Sequence, residues 1–319
     1  MSLVQGVKDA VVVAGYRVGW RVVRALPERP AYAMFDLIAD LITRRRGRGV
    51  RRLRANYAKV RPDLDDVALD RLVRDGMRSY LRYYCDAFRL PDRSVDELAA
   101  GVHVSGDGPI RELLAAGTGV VVFIGHMGGW DTAGAWSTTQ LAPVTTVVER
   151  LEPEAVFTTF LGFRERLGMT ILPLTGGPNP FTGMREALER GEFVALAADR
   201  DLTASGVEVD FCGHRARMAK GPALLSAVTG AALFAAAITY QDAPEGEGIA
   251  GKMCHVDFSA PILPRVEGST DAVVADLTQQ CADYVGTAVQ AYPSEWHMLQ
   301  RVFVEDLDPA RLARAVEPR

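Results

Sequence analysis

The 319-residue chain has little of what marks several common chemistries. Its four cysteines (Cys85, Cys212, Cys254 and Cys281) form no C-x-x-C pair and no zinc-type spacing, so a disulfide scaffold and a thiolate metal centre are excluded and reduced thiols in a cytosolic compartment are expected. No G-x-S-x-G elbow occurs, which argues against a serine hydrolase. Lysine is confined to Lys8, Lys59, Lys220 and Lys252. Nearly all positive charge is therefore arginine, a bias that reads as a GC-rich genome and carries no ligand information by itself. A net charge of −4 speaks against nucleic acid as a partner. The N-terminus lacks the form of a signal peptide, with only Lys8 as early basic residue and no clean cleavage site. The longest uncharged stretch, Gly221 to Gln241, would reach across a bilayer but carries Pro222, Ser226, Thr229 and Gly230; a helix turning into a strand is expected there, and no spanning segment. Internal repeats and low-complexity linkers are lacking too.

What is present is a globular composition, 48% hydrophobic and 24% charged, with one stretch that organises the rest, Gly117 to Trp136. The apolar run Val120 to Ile124 closes on Gly125, which reads as a buried strand of an α/β sheet, and a helix follows. Open α/β sheets place their chemistry at the carboxyl ends of strands. His126, Gly128, Gly129, Trp130 and Asp131 fall at that point. On one continuous helix His126 and Asp131 would stand about 140° apart and could not face each other. They can meet only with His126 on the loop and Asp131 on the first helical turn, a turn that Gly128 and Gly129 permit.

The block HMGGWD resembles the H-x4-D motif of the lysophospholipid acyltransferase superfamily, in which the His is a general base and the Asp orients it. Further blocks are similar to the lipid-A-type branch over roughly residues 100–300. These are FRERLGMTILPL with Arg164, FVALAADRDL with Asp199 and Arg200, a V-x-F-x-G step before a small-residue helix, and a closing P-x-x-W in PSEWHMLQRVF. Lipid A enzymes often have Glu where Asp131 stands and Asn where Gly129 stands. The proline-acid-glycine block of glycerol phosphate acyltransferases is missing. Layout and Arg/Ala-rich composition look most like the acyltransferases of phosphatidylinositol mannosides. The resemblance implies palmitoyl-CoA as donor, a mannose 6-hydroxyl of the glycosylated phosphoinositide as acceptor, and no metal or other cofactor. Within it, His126 and Asp131 are the catalytic pair and Arg164 would hold a polar or phosphorylated acceptor. The neighbouring readings are transfer to another glycolipid or lysophospholipid, and acyl-CoA thioester hydrolysis.

Along the chain, the fold expected is α/β, a mostly parallel central sheet flanked by helices, in a single domain. Residues 1–100 form a helical membrane-facing extension, 101–300 the catalytic core and 301–319 a peripheral tail. Val4 to Arg24 and residues 31–60 read as helix. From Leu41 to Pro62 there are nine basic residues and no acid, either a solvated helix face or attraction to anionic lipid heads. That pattern suits peripheral attachment to the cytoplasmic face of the inner membrane. Asp63 to Leu90 reads as an amphipathic helix pair whose aromatics Tyr80, Tyr83, Tyr84 and Phe88 belong to the core or, with the first helices, line an acyl-chain groove. Glu149, at the end of the strand Val144 to Val148, is a further site candidate. His214, Arg215, Arg217 and Lys220 precede or open a helix and suit a clamp for the CoA phosphates. His297 reads as structural, and a monomer is expected.

A hydroxyl is a weak nucleophile and needs a base, and His accepts a proton at neutral pH. The thioester oxyanion also needs donors, for which the Gly128 and Gly129 N–H groups or Arg164 are candidates. Two other classes compete with transfer. A metal-dependent hydrolase would use His126, Asp131, Asp199 and Asp201, and a lipid-binding module would keep the groove without the base.

Overall fold

The computed structural model describes residues 15, 18–149, 154–201 and 206–307. Residues 18–25 are helical (α1), and most of the helix expected over Val4 to Arg24 lies outside the described residues. The single helix expected over 31–60 is two, α2 (Glu28–Arg44) and α3 (Arg48–Val60). Arg46 at φ 45° and the glycine after it turn the chain between them. Conversely Asp63 to Leu90 is not a helix pair but one 24-residue helix, α4 (Asp66–Arg89), capped where Ala68 N donates to Asp65 Oδ1 at 2.7 Å. Gly76 does not break it. It makes room for a neighbour, since a Cβ there would collide with the Tyr57 hydroxyl of α3.

The α/β part runs α5 (Val95–Gly101), β1 (Val102–Ser105), α6 (Gly108–Ala115), β2 (Val120–Ile124), α7 (Trp130–Gln140), β3 (Val144–Val148), α8 (Glu154–Arg166), β4 (Thr170–Pro173), α9 (Pro180–Glu189), β5 (Phe193–Ala197), β6 (Val207–Phe211), β7 (His214–Met218), α10 (Gly221–Thr229), β8 (Ala232–Asp242), β9 (Lys252–Phe258) and α11 (Thr270–Ala291). Seven strands form one sheet in the order β1-β9-β8-β2-β5-β3-β4, parallel except where β9 runs against β8. β2 lies in the middle, its Val120 to Ile124 paired with Phe193 to Ala197 on one side and Ala232 to Ala236 on the other. Both faces of β2 are covered, which is why it reads as a continuous apolar run. Val121 and Phe123 pack toward α3, α4, α10 and α11, and Val120 and Val122 toward α5, α6 and α7. The uncharged stretch from Gly221 resolves into α10 and β8, as its Pro, Ser, Thr and Gly suggested. Among the described residues no helix is long and apolar enough to cross a membrane.

Two elements depart from expectation. β6 and β7 form a separate antiparallel hairpin, turned by Cys212 at φ 52° and Gly213 at φ 82°. The segment beyond 301 is not wholly peripheral: Val302 and Phe303 are fully buried, and Arg217 N donates to Val302 O at 3.2 Å. The apolar pair is worth more inside than out, so the chain after α11 returns across the core. The tail after residue 307 lies outside the described residues.

Candidate active site

β2 and β5 are neighbours in parallel register, so the residues just past their carboxyl ends come together. Ala198 N donates to Ile124 O at 3.0 Å, continuing the pairing beyond the strands. That places Asp199 against His126. His126 Nδ1 lies 2.5 Å from Asp199 Oδ1, and the His126 main-chain N–H donates to Asp199 Oδ2 at 2.9 Å. The Trp296 indole N–H donates to the same Oδ2, also at 2.9 Å. Asp199 is completely buried; burial alone would raise its carboxyl, but His126 and Trp296 outweigh it and hold it below the usual carboxylate range. The His126 side chain keeps 31% of its surface exposed, and Nε2 has no protein partner among the described residues.

The carboxylate expected to orient His126 is engaged elsewhere. Asp131 stands on the first turn of α7, as foreseen, but Arg164 of α8 grips it in a fork, Nε to Oδ1 at 2.7 Å and Nη2 to Oδ2 at 2.8 Å. The Tyr83 hydroxyl of α4 donates to Oδ2 at 2.8 Å. No hydrogen bond joins His126 to Asp131 among the described residues. Burial opposes the charge of Arg164, yet Asp131 and Tyr83 keep its guanidinium above the usual value. The partner at His126 Nδ1 is therefore Asp199, and the Asp131–Arg164 pair fastens α7 to α8. Sequence spacing favoured Asp131 because it is near in the chain, whereas Asp199 is 73 residues away and is delivered by strand pairing.

A strap from the C-terminal part, Glu295 to Met298, completes the loop. Met127 bridges Trp296 in antiparallel fashion, His297 N donates to His126 O at 2.8 Å, and Gly128 N donates to Glu295 O at 3.0 Å. The strap is itself held. Tyr57 Oη donates to Trp296 O at 2.9 Å, and Asn56 Nδ2 donates to Met298 O at 2.7 Å and Gln300 O at 2.8 Å. The buried Glu295 carboxylate accepts from Ser79 Oγ and Tyr240 N, each at 2.9 Å. Trp296 was legible as the W of P-x-x-W, but nothing in that pattern tells that its N–H serves Asp199. His297 is buried, its Nε2 2.8 Å from Ser79 Oγ, and burial beside His126 pushes its imidazole down to about 3.

The glycines of the loop are spatial necessities. Gly128 has φ 57°, and a Cβ there would run into the Ile238 carbonyl. A Cβ at Gly129 would stand 2.5 Å from the Tyr240 hydroxyl, which leaves no room for the Asn common at this point. Trp130 stacks on Tyr83 at 3.8 Å and meets His126 edge-on at 6.0 Å. Beside it an apolar slot of about 40 Å³, walled by Ile124, Gly134, Ser137, Ala195 and Ile238, enters between α7 and the sheet.

The remaining candidates do not converge. Glu149 is exposed at the end of β3, and Arg200 is half-buried next to Asp199. His214 Nδ1 faces Glu305 at 3.1 Å and Arg215 faces Asp210 at 3.2 Å. Arg217 is buried and donates to Gly206 O at 2.9 Å. Lys220 sits at the N-cap of α10. Arg215 and Arg217, two apart on β7, share a face and both reach Glu208, at 3.5 and 3.8 Å, whereas His214 on the other face meets Glu305; these three side chains are thus engaged by protein carboxylates. The Gly128 N–H and Arg164 are likewise committed to Glu295 and Asp131 and are not free as oxyanion donors. Among the described residues no three His, Cys, Asp or Glu side chains gather as a metal site.

Comparison with known proteins shows the family. The family model for bacterial lipid A biosynthesis acyltransferases matches residues 8–305. The chain is 40% identical over 303 residues to the phosphatidylinositol mannoside acyltransferase of Mycolicibacterium smegmatis, covering 94% of each protein. It is 38% identical over 302 residues to the protein of that name from Mycobacterium tuberculosis, covering 94% of this chain and 90% of the relative. On a match of this extent the chain is an acyltransferase and belongs to the bacterial lipid A biosynthesis acyltransferase family.

Proposed function

We propose that the protein moves a long-chain acyl group, palmitoyl in the first instance, from acyl-CoA to a mannose 6-hydroxyl of a phosphatidylinositol mannoside. The acceptor class is supported by the names of the relatives. The mechanism rests on one observation, the 2.5 Å contact of His126 Nδ1 with the buried Asp199 carboxylate. With Nδ1–H donated to Asp199, Nε2 carries the lone pair and takes the proton of the acceptor hydroxyl. The hydroxyl oxygen bonds to the thioester carbonyl carbon, the C–S bond breaks, and the thiolate leaves with the proton from Nε2 as CoA thiol. Asp199 fixes the tautomer and stabilises the imidazolium, in the manner of the third member of a nucleophile–base–orienter set. The nucleophile belongs to the substrate, so no acyl-enzyme forms, and proton transfer of this kind requires no metal or cofactor. The Gly129 N–H, at the positive end of α7, is the loop donor left for the oxyanion.

The alkyl chain enters at the apolar slot beside Trp130, which must widen by movement of α7 to take a long chain. The enzyme works as one unit and as a monomer at the cytoplasmic face of the inner membrane. Its helical N-terminal third and the basic run around α3 attract it to anionic lipid.

The test compares wild type with His126→Ala on palmitoyl-CoA and a mannosylated phosphatidylinositol, following CoA release and acylated product with and without chelator. Transfer that vanishes in the variant and ignores the chelator is the expected result. Transfer that persists in His126→Ala would remove the general base from the mechanism. CoA release without acylated product would make the chain a thioesterase.

A further inference from the structure

Between α3 and the segment after the strap lies a cavity of about 490 Å³, lined by Arg48, Arg51, Arg52, Asn56, Arg301 and Asp306 together with Ala55. Its volume is that of a small-molecule site. Four guanidiniums meet there against one carboxylate, and that carboxylate is already spent on Lys59 at 2.7 Å. Arg48, Arg52 and Arg301 have no acidic partner among the described residues, and Arg51 donates only to the Arg46 carbonyl at 2.7 Å. A neighbouring cavity of about 510 Å³ is also lined by arginines; there Arg46 and Arg54 pair with Asp70 and Arg74 pairs with Asp40, while Arg44 has no acidic partner among the described residues and Arg51 lines both cavities.

The position on α3 sharpens the point. Arg48, Arg51 and Arg52 occupy the first five residues of a 13-residue helix whose first turn has no acid and whose N-cap has no side-chain hydrogen bond. Positive side chains at the positive end of a helix repel its exposed N–H groups. An anion seated among them converts that repulsion into attraction, and the planar guanidinium fork matches phosphate oxygens two at a time. In a chain of net charge −4, four arginines thus line one cavity whose single carboxylate is already paired with Lys59.

We propose that this cavity is a discrete binding site for a phosphate-bearing anion, either a lipid headgroup phosphate at the membrane or a small soluble phosphate. It is separate from the His126 site. Asn56 links the two, since it lines the cavity and holds the strap at Met298 and Gln300.

The experiment uses the full chain without acyl donor. Titration calorimetry measures binding of inorganic pyrophosphate. Co-sedimentation measures binding to phosphatidylcholine vesicles with and without phosphatidylinositol. The variants are R48Q/R52Q and R51Q/R301Q, with R265Q as a control that removes one distant exposed charge and with melting curves to verify folding. Pyrophosphate binding that weakens about tenfold or more in both double variants and not in the control supports a soluble phosphate as occupant. The same pattern confined to vesicles with phosphatidylinositol supports a headgroup. Binding equal in wild type and double variants, equal weakening in the control, or no binding by the wild type in either arm overturns the proposal.

Discussion

Asp199 Oδ2 accepts two hydrogen bonds at once, from the His126 main chain and from the Trp296 indole, while its Oδ1 meets His126 Nδ1 at 2.5 Å. One carboxylate thus fixes the ring, the backbone that carries the ring, and the strap that closes over both. Asp199→Asn keeps this shape but removes the charge that stabilises an imidazolium. A fall in kcat of about 10²- to 10⁴-fold with little change in KM is expected, read from steady-state kinetics with melting curves beside them.

Asp131 has a different signature. Asp131→Asn leaves the Arg164 guanidinium buried without its counter-charge, which costs about 3–5 kcal/mol. Denaturant unfolding should report that loss directly. The double variant with Arg164→Gln should recover part of it, and strict additivity of the two single changes would refute the pairing.

Trp296→Phe deletes one donor to Asp199 and keeps an aromatic ring. The carboxylate becomes more basic and stabilises the imidazolium more strongly. The acidic limb of the kcat–pH profile should therefore move to higher pH, along with a loss of stability from the void at this fully buried position. A purely structural tryptophan would lower the melting temperature and leave the profile in place.

His297 makes stability depend on pH. In the folded protein its imidazole is held near 3, against a usual value of 6.5. The unfolded chain therefore takes up a proton below 6.5 that the folded chain refuses. The contribution is fully present above 6.5 and declines as pH falls, by roughly 1.4 kcal/mol per unit. Asp199, held below its usual range, adds no slope in that window. Unfolding free energies between pH 7 and 5 should fall for the wild type and stay flatter for His297→Gln.

How far the sequence could be read depended on where each signal sits. The run Val120 to Ile124, the loop position of His126 and the first-turn position of Asp131 were all local, and all are found; the strand expected to end at Asp199 is found too, ending two residues earlier at Ala197. Partnership was not local. Five residues separate His126 from Asp131, and that nearness stood in for contact, whereas contact came from the register of β2 on β5. Tyr83 read as an ordinary core aromatic, since a helix pattern shows that a hydroxyl is buried but not what it donates to. The break at Arg46 and the continuity through Gly76 were misjudged for a related reason. A glycine is tolerated inside a helix and at its end alike, so the residue type by itself does not tell which occurs.

The strap sets an order in time as well as in space. A ribosome releases His126 and then Asp199, but the indole that joins them follows 97 residues later. Until it emerges, the loop has no partner for Met127 and Gly128, and Asp199 lacks one of its donors. A nascent chain that has not reached Trp296 therefore holds both residues of the pair without the clamp that fixes them.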